Sequence, residues 1–429
     1  MSERDLPVYL YGTHTGDLVG TGRGGVNLDW SKAAEDRWLI NSPVLSQSLR
    51  VGSSTPEQTA SFFGALIPEG ANLDRLANEI RVPSNDLLGI FNRVGADLAG
   101  ALRVGDAREA TDPQALDDGQ IDALLARASG FLVGGGGSAL PGFQRKLTLT
   151  RDDGVWVRGN GSIPSTHILK PVSDEDRRAV ENENYTLAVG RELGLLSFDS
   201  WVETIGSKHV LVIERYDRRL QGTTVERIHQ EDCAQALGLP WGGNAKFERD
   251  DERASLRSIA SLLDTKRSAF SPGRPDAERL LRYATFNVAV GNTDAHAKNF
   301  SILHHEDGGT VLAPLYDVAP LALGYEASQV MAMSVNDVKR LDEVTAGDLV
   351  AEAESWGLDG AQSRALVEET LDSLVEATRK LNCHASIAAH TPGYIRGQAQ
   401  NLRDGYRARI SSSIPLILQK SIGTPRTEG

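Results

Sequence analysis

The chain has 429 residues and a formal net charge of −13, with 40% apolar and 24% charged residues. This length predicts two or three domains of roughly 100–200 residues each, and the composition is that of a globular protein. The acidic balance argues against binding nucleic acid over a broad basic face. The first residues lack an apolar signal-peptide core, and no apolar run reaches about 18 residues. We therefore expect a protein without a membrane span. Two cysteines are too few for a disulfide framework, so we expect a cytoplasmic protein.

Residues 1–108 are predicted to form a small α+β subdomain. Their apolar and β-branched content predicts strands at residues 8–11 and 45–51. A helix is predicted to begin at Thr55, because Thr55 can cap it, Pro56 suits its first turn and Gln58 can complete a capping box. A polar stretch over residues 105–120 is typical of a linker.

The rest of the chain, residues 109–429, is predicted to be one two-lobed domain. Asp153-Gly154 is a strong hairpin signal, and residues 167–170 and 210–213 are predicted strands on either side of one helix. Helical patterns dominate after about residue 230. We therefore predict a β-rich N-lobe at about 120–217 and a mostly helical C-lobe at about 218–429.

Asp294-Ala295-His296-Ala297-Lys298-Asn299 is the most informative motif. A phosphoryl-transfer site needs a carboxylate to accept the substrate hydroxyl proton and an amide oxygen a few residues later to bind Mg²⁺. Asp294 and Asn299 suit these two roles. The alternative is a polar turn in which Asp294 only caps a helix.

Asp317 directly follows an apolar strand and a Pro-Leu-Tyr sequence. A second acid in this position is typical of the main Mg²⁺ ligand of kinases. The alternative is an aspartate that only forms a turn.

Lys170 closes a predicted buried strand, where it can hold the α- and β-phosphates of a nucleotide. The next helix offers Glu181 and Glu183 as partners for this lysine. The alternative for all three residues is simple exposure to solvent.

Two backbone segments complete the pattern expected of a nucleotide site. A tight turn after a glycine run can bind phosphates through its amides, although such runs are also flexible connectors. Its residues are Pro141, Gly142, Phe143, Gln144, Arg145 and Lys146. The strand ending in Glu214, Arg215 and Tyr216 can offer backbone groups to adenine, with Tyr216 beside the base. A plain edge strand is the alternative.

The order of these features resembles the HipA family of toxin kinases over nearly the whole chain. The resemblance rests on residues 62–70 (FFGALIPEG), 95–102 (GADLAGAL), 165–170 (STHILK), 214–218 (ERYDR), 230–238 (QEDCAQALG) and 294–301 (DAHAKNFS). It implies an α+β fold in which a small N-terminal subdomain precedes a two-lobed core that is protein-kinase-like or phosphoinositide-kinase-like.

The resemblance also implies ATP and Mg²⁺ as cofactors, with Asp294 as the base and Asn299 and Asp317 as metal ligands. It favours Glu183 as the partner of Lys170. The implied ATP-binding residues are 141–146, Lys170, Glu214, Arg215, Tyr216, His296, Lys298, Asn299 and Tyr316.

The partners implied by the resemblance are a dimeric HipB-type helix-turn-helix antitoxin and, through it, operator DNA. The implied substrate is an aminoacyl-tRNA synthetase, glutamyl-tRNA synthetase above all, whose phosphorylation would stop translation and produce growth arrest and persistence. Lys339 and Arg340 are the candidate DNA contact, with an ordinary solvated face as the alternative. Two further functions compete: a co-repressor that clamps the antitoxin on DNA, and a lipid or small-molecule kinase.

One departure from the family concerns autophosphorylation. Family members often carry an inhibitory serine three residues before the glycine of the ATP loop. That position is Ala139 here, and Ser138 precedes it. Ser138 is therefore the candidate modification site, since a phosphate there would add about two negative charges.

Overall fold

The computed structural model describes residues 5–22, 25–106, 114–126, 140–141, 146–158, 163–172, 177–221, 224–264, 274–323 and 327–408. The chain divides into two compact units. Unit 1 comprises Met1–Asp174, Trp201–Ala245 and Ser301–Thr310, and unit 2 comprises Glu175–Ser200, Lys246–Phe300 and Val311–Gly429. The predicted domain boundary at residue 108 lies outside the described residues and stays a prediction.

The described residues form runs of strands and runs of helices. The strands are β1 (Leu6–Leu10), β2 (Thr13–Gly22), β3 (Gly25–Trp30), β4 (Leu102–Val104), β5 (Gln114–Ala115), β6 (Leu147–Asp152), β7 (Val155–Arg158), β8 (His167–Val172), β9 (Ser200–Ile205), β10 (Lys208–Glu214), β11 (Arg218–Gln221), β12 (Thr224–Arg227), β13 (His229–Asp232), β14 (Ser301–His304), β15 (Thr310–Leu312), β16 (Val330–Val335) and β17 (Val338–Arg340). The helices are α1 (Lys32–Arg37), α2 (Pro56–Gly64), α3 (Ala71–Ile80), α4 (Leu87–Val94), α5 (Asp118–Ala126), α6 (Arg177–Glu192), α7 (Cys233–Ala236), α8 (Leu256–Leu262), α9 (Pro275–Val290), α10 (Ala346–Ser355), α11 (Gly360–Lys380), α12 (Ala385–Ala388) and α13 (Thr391–Arg403).

The first sheet of unit 1 has the strand order β3-β2-β1-β4. Alternate residues of β1, namely Leu6, Val8 and Leu10, are buried in the core that α2 and α4 also line. The predicted helix start at Thr55 is confirmed, because Thr55 and Gln58 each accept a hydrogen bond from the other's backbone N–H.

The strand predicted at residues 45–51 is wrong. Leu45, Leu49 and Val51 are fully buried, which explains the pattern, but these residues pair with no strand. Their neighbours instead bond to side chains and turns: the Gln47 N–H donates to the Glu231 carboxylate at 2.8 Å, and the Ser48 hydroxyl donates to the Gln235 carbonyl. Burial without a strand partner therefore produced the misleading signal.

The second sheet of unit 1 has the order β5-β7-β6-β8-β10-β9. The hairpin predicted at Asp153-Gly154 is confirmed, since these residues join β6 to β7 with φ values of 44° and 82°. One face of this sheet packs on α5 through an apolar core that includes Leu149, Leu169 and Val212. The other face carries the alternate residues of each strand.

Unit 2 is mostly helical among its described residues, as predicted for the C-lobe. Helices α9, α11 and α13 pack on one another, and α10 packs on α9 and α11. Leu371 and Leu374 of α11 are fully buried. The hairpin of β16 and β17 turns at Asn336-Asp337, both of which have positive φ.

A buried group of charged side chains lies inside unit 1, and we call it the charge cluster: Asp97, Arg215, Asp217, Arg218 and Arg227. The two Arg218 terminal nitrogens each lie 3.0 Å from a carboxylate, that of Asp97 and that of Asp217. Arg215 binds the Asp217 carboxylate through two nitrogens at 2.9 Å. The cluster thus holds residue 97 of the N-terminal subdomain against the segment that follows β10.

The charge cluster predicts loss of stability in acid. Although burial opposes ionisation, Arg218 and Arg215 lower the pKa of Asp97 to about 2, and Arg215 and Arg218 hold the pKa of Asp217 far below its usual range. Both carboxylates titrate near pH 4 when unfolded, so their contribution is complete above pH 4 and decreases as the pH falls from about 4 toward 2. Thermal denaturation between pH 7 and 3 should show it. The double variant Asp97→Asn/Asp217→Asn should have a shallower acid slope.

Candidate active site

The loop that carries the Asp-x-His-x-x-Asn motif begins where α9 ends. Gly291 ends this helix with φ at +82°, and its N–H donates to the carbonyls of Asn287 and Val288. A Cβ at Gly291 would lie 2.5 Å from the Tyr394 hydroxyl oxygen and 2.8 Å from a carbon of the same ring. Only glycine therefore combines this backbone conformation with this close approach.

Gly291→Ala is expected to destabilise the protein more than Gly405→Ala. Both glycines follow helices and have φ at +82°, but a Cβ at Gly405 meets nothing within 4 Å. Gly405→Ala should cost about 1 kcal/mol for the left-handed conformation alone. Gly291→Ala should cost about 1–3 kcal/mol more, because Tyr394 must move. Chemical denaturation of the two variants measures the difference, and equal losses would contradict the steric argument.

Hydrogen bonds within the loop position the motif residues. The Asp294 carbonyl accepts hydrogen bonds from the His296 N–H at 2.7 Å and from the Asn299 side-chain amide at 2.9 Å. The Asp294 N–H donates to the Asn292 side chain at 3.3 Å, and Asn292 donates to Asn287 on α9. The structure thus brings Asp294 and Asn299 into contact, through the backbone carbonyl of one and the side-chain amide of the other.

Asp294 is an exposed residue, and charges of both signs lie around its carboxyl group. Desolvation of this carboxyl raises its pKa, the positive charges of Lys246 and Arg249 lower it, and the negative charge of Asp317 raises it, with a net shift upward. A carboxylate whose pKa is raised is a better proton acceptor than an ordinary one. The interaction with Asp317 places both acids of the sequence prediction in one neighbourhood of unit 2.

Asp317 is exposed and adopts a left-handed conformation, with φ at +53°. It lies between buried Leu315 and buried Val318, so its backbone is held from both sides. Tyr316 donates its hydroxyl hydrogen bond to the Lys298 carbonyl at 2.8 Å. Two of the predicted ATP-binding residues therefore contact each other, and this contact joins the Asp317 segment to the loop that carries Asp294 and Asn299.

The donor set of this site suits Mg²⁺. Mg²⁺ prefers one or two carboxylates, with the remaining positions filled by water and phosphate oxygens, over a cage made wholly of protein. For such an ion, Asp317 would provide a carboxylate, and Asn299, whose side-chain nitrogen donates to the Asp294 carbonyl, would provide its amide oxygen. No cluster of three or more His, Cys, Asp or Glu side chains suited to a metal occurs among the described residues.

Lys246 and Arg249 are charged neighbours of Asp294 that the sequence interpretation missed. Phe247 between them packs its ring edge-on against His296, with centroids 5.4 Å apart. The segment lies far before the motif in the chain, and its only sequence signal is a lysine after Gly242-Gly243. Nothing in that spacing predicts a position beside Asp294.

Lys170 of unit 1 is buried on β8 and pairs with Leu211 of β10. Its neighbour Leu169 faces the apolar core with α5, so strand alternation directs Lys170 to the opposite face. Lys146, just before β6, donates a hydrogen bond to the Pro141 carbonyl at 2.6 Å. This bond ties together the two described ends of the predicted phosphate turn. Gly142, Phe143, Gln144, Arg145 and Ser138 lie outside the described residues.

The predicted adenine segment of unit 1 is fixed by its own contacts. The Arg215 N–H donates to the Thr166 carbonyl at 2.9 Å, and the guanidinium is buried in the charge cluster. The Tyr216 hydroxyl donates a hydrogen bond to the Gln230 side chain. Burial raises the pKa of this phenol, and the negative charge of Asp217 raises it further. Glu214 is half-exposed near His167. The Arg215 side chain is thus structural, and a role in binding adenine would fall to backbone groups.

Other predicted site residues are placed as follows. Glu181 and Glu183 are both buried on α6, and Glu181 pairs with Arg177 at 3.3 Å. Arg340 on β17 pairs with Asp342 at 2.9 Å, and Lys339 is exposed. The pairing of Glu183 and the DNA contact of Lys339 and Arg340 stay predictions.

Comparison with known families matches both halves of the chain. Residues 6–105 match the HipA N-terminal domain, and residues 138–378 match the HipA-like C-terminal domain. Within the described residues, no helix is long and apolar enough to cross a membrane.

Individual relatives agree with these matches. Y4mE, a protein of Sinorhizobium fredii provisionally named a kinase, is 32% identical over 89% of this chain and 92% of its own length. The serine/threonine-protein kinase toxin HipA of Shewanella oneidensis is 26% identical over 75% of this chain and 77% of its own. HipA in the Shewanella oneidensis complex of HipA, HipB and operator DNA superposes with a TM-score of 0.76 at 23% identity, over 93% of this chain and 99% of that one. This likeness confirms the predicted α+β fold with a kinase-like core. The chain therefore belongs to the HipA family.

Proposed function

We propose that this chain is a Mg²⁺- and ATP-dependent serine/threonine protein kinase and the toxin of a HipBA-type toxin–antitoxin module. The observation that supports it most is the arrangement in unit 2: Asp294, with its raised pKa, lies on an ordered loop with Asn299 and near Asp317. These are the residue types that phosphoryl transfer requires.

Each residue has a role in this proposal. Asp294 orients the substrate hydroxyl and accepts its proton, while Asp317 and Asn299 hold the cation. Lys170 and the turn between Pro141 and Lys146 hold the phosphates. Backbone groups near Glu214 and Tyr216 contact the adenine base. Mg²⁺-ATP supplies the phosphoryl group and the leaving ADP. His296, Lys298 and Tyr316 shape the loop beside the cation ligands.

The proposed substrate is an aminoacyl-tRNA synthetase, glutamyl-tRNA synthetase or a relative, whose phosphorylation would stop translation. This part of the proposal rests on membership of the family, some of whose members are named kinase toxins. The test is transfer of γ-labelled phosphate from ATP to a panel of purified synthetases. Label on one synthetase serine would support the proposal, and label on none of them would contradict this choice of substrate.

Self-modification at Ser138 is a further part of the proposal. Phosphate on this serine would add about two negative charges beside the turn that holds ATP, and would disfavour ATP binding. Peptide mapping of the labelled chain distinguishes Ser138 from other sites.

A co-repressor is the second candidate function, because the HipA of the solved complex is found with HipB and operator DNA. In this role the chain would clamp an antitoxin of the HipB type on DNA with little phosphoryl transfer. Operator affinity that rises on addition of this protein, equally for the natural chain and for Asp294→Asn, would favour the co-repressor. Label transfer by the natural chain would favour the kinase.

A further inference from the structure

Lys246 is a buried lysine beside the catalytic loop of unit 2, and its residue is only 7% exposed. Its carbonyl accepts a hydrogen bond from the Ala297 N–H at 3.2 Å, so its backbone contacts the motif itself. Its ammonium nitrogen lies 5.4 Å from the centroid of the Phe247 ring. A buried lysine is rare unless anions lie near it, and here its charge acts on Asp294.

A closed ring of backbone hydrogen bonds fixes Lys246 relative to Asp294. The Glu248 N–H donates to the Ala332 carbonyl at 3.0 Å, and the Ala332 N–H donates to the Thr293 carbonyl at 2.9 Å. The Ala297 bond to Lys246 completes the ring. The Glu248 side chain adds a hydrogen bond from the Ser334 hydroxyl at 3.0 Å. A cation whose backbone is held by such a ring of hydrogen bonds is preorganised. It can therefore stabilise charge without reorganising during the reaction.

Lys246 and Arg249 both lie near the Phe247 ring. The guanidinium carbon of Arg249 is 4.6 Å from the ring centroid, and this side chain is exposed. His296 packs edge-on against the same ring. Lys246 is therefore the buried cation of the pair that acts on Asp294, and Arg249 is the exposed one.

We propose that Lys246 is a further catalytic residue, whose ammonium contacts the oxygens of the phosphoryl group as it passes to the substrate serine. The inference rests on the proposed kinase function. In the transfer, a bond forms between the serine oxygen and the γ-phosphorus, and the bond from that phosphorus to the β–γ bridging oxygen breaks. The bridging oxygen keeps the electron pair in ADP, and the serine proton passes to Asp294. Lys246 stabilises the negative charge on the transferring group.

The test is the variant Lys246→Met, with exposed Lys32→Met as the matched control. Removing one preorganised donor typically lowers kcat about 10²- to 10³-fold. We expect that loss for Lys246→Met with KM for ATP changed less than threefold, and partial recovery in Lys246→Arg. Lys32 is 75% exposed, and its replacement should leave kcat unchanged.

A binding measurement separates contact with the phosphoryl group from a structural role. Titration calorimetry with Mg²⁺ compares ADP alone with ADP plus aluminium fluoride, which mimics the transferring group. Lys246→Met should bind ADP with the affinity of the natural chain. The increase in affinity that aluminium fluoride produces should be at least tenfold smaller in Lys246→Met than in the natural chain. Equal weakening for both ligands, or an unchanged kcat, would overturn the inference. If Lys246→Met does not fold, Lys246→Gln serves for the same comparison.

The outcomes also separate this inference from the proposed function. A natural chain that transfers label to no protein, itself included, contradicts the proposed kinase function and the inference with it. An active natural chain with an equally active Lys246→Met contradicts the inference alone.

Discussion

Asp294→Asn is expected to lower phosphoryl transfer by about 10²- to 10⁴-fold, the usual contribution of a positioned general base. The carboxylate is the only group of this side chain that can accept a proton, and an amide of the same shape cannot replace it. The backbone bonds that shape the loop use the Asp294 carbonyl and N–H, so the fold should survive. Initial rates of label transfer measure the effect, with nucleotide affinity as the check on binding.

Asp404→Asn is the matched control for this change, because Asp404 is an exposed aspartate at the end of α13. Its rate should equal that of the natural chain. Growth arrest in cells should disappear with Asp294→Asn and persist with Asp404→Asn. A toxic Asp294→Asn chain that transfers no label would point to the co-repressor function instead.

Arg218→Met is expected to destabilise the protein by about 3–5 kcal/mol, the usual cost of removing one partner from a buried ion pair. The Arg218 side chain is 1% exposed and lies between the carboxylates of Asp97 and Asp217. Its loss removes the side chain that bridges these two buried carboxylates, together with its hydrogen bonds to the carbonyls of Leu98 and Gly100. Chemical denaturation at pH 7 measures the change.

The next residue provides the control. Arg219 pairs with Glu226 at 3.5 Å, but its side chain is 64% exposed. Arg219→Met should therefore cost less than about 1 kcal/mol, as exposed ion pairs usually do. A similar cost for the two variants would show that the charge cluster does not hold unit 1 together.

Local signals in the sequence were read correctly where the interaction spans a few residues. Thr55 and Gln58 form the predicted capping box, and Asp153-Gly154 forms the predicted hairpin turn. The motif from Asp294 to Asn299 also closes on itself through a bond five residues apart. In each case neighbouring residues supply both partners, so residue type and spacing are sufficient evidence.

The tertiary structure alone decided the features that join distant segments. Arg218 meets Asp97 across 121 residues, Lys246 acts on Asp294 from another segment, and residues 45–51 are buried without a strand partner. A single sequence shows which residues are charged or apolar, but not which of them the packed chain brings together. The sequence by itself thus determined the helix start, the hairpin and the loop that carries Asp294 and Asn299. Packing over long separations determined the charge around Asp294 and the burial of the charge cluster.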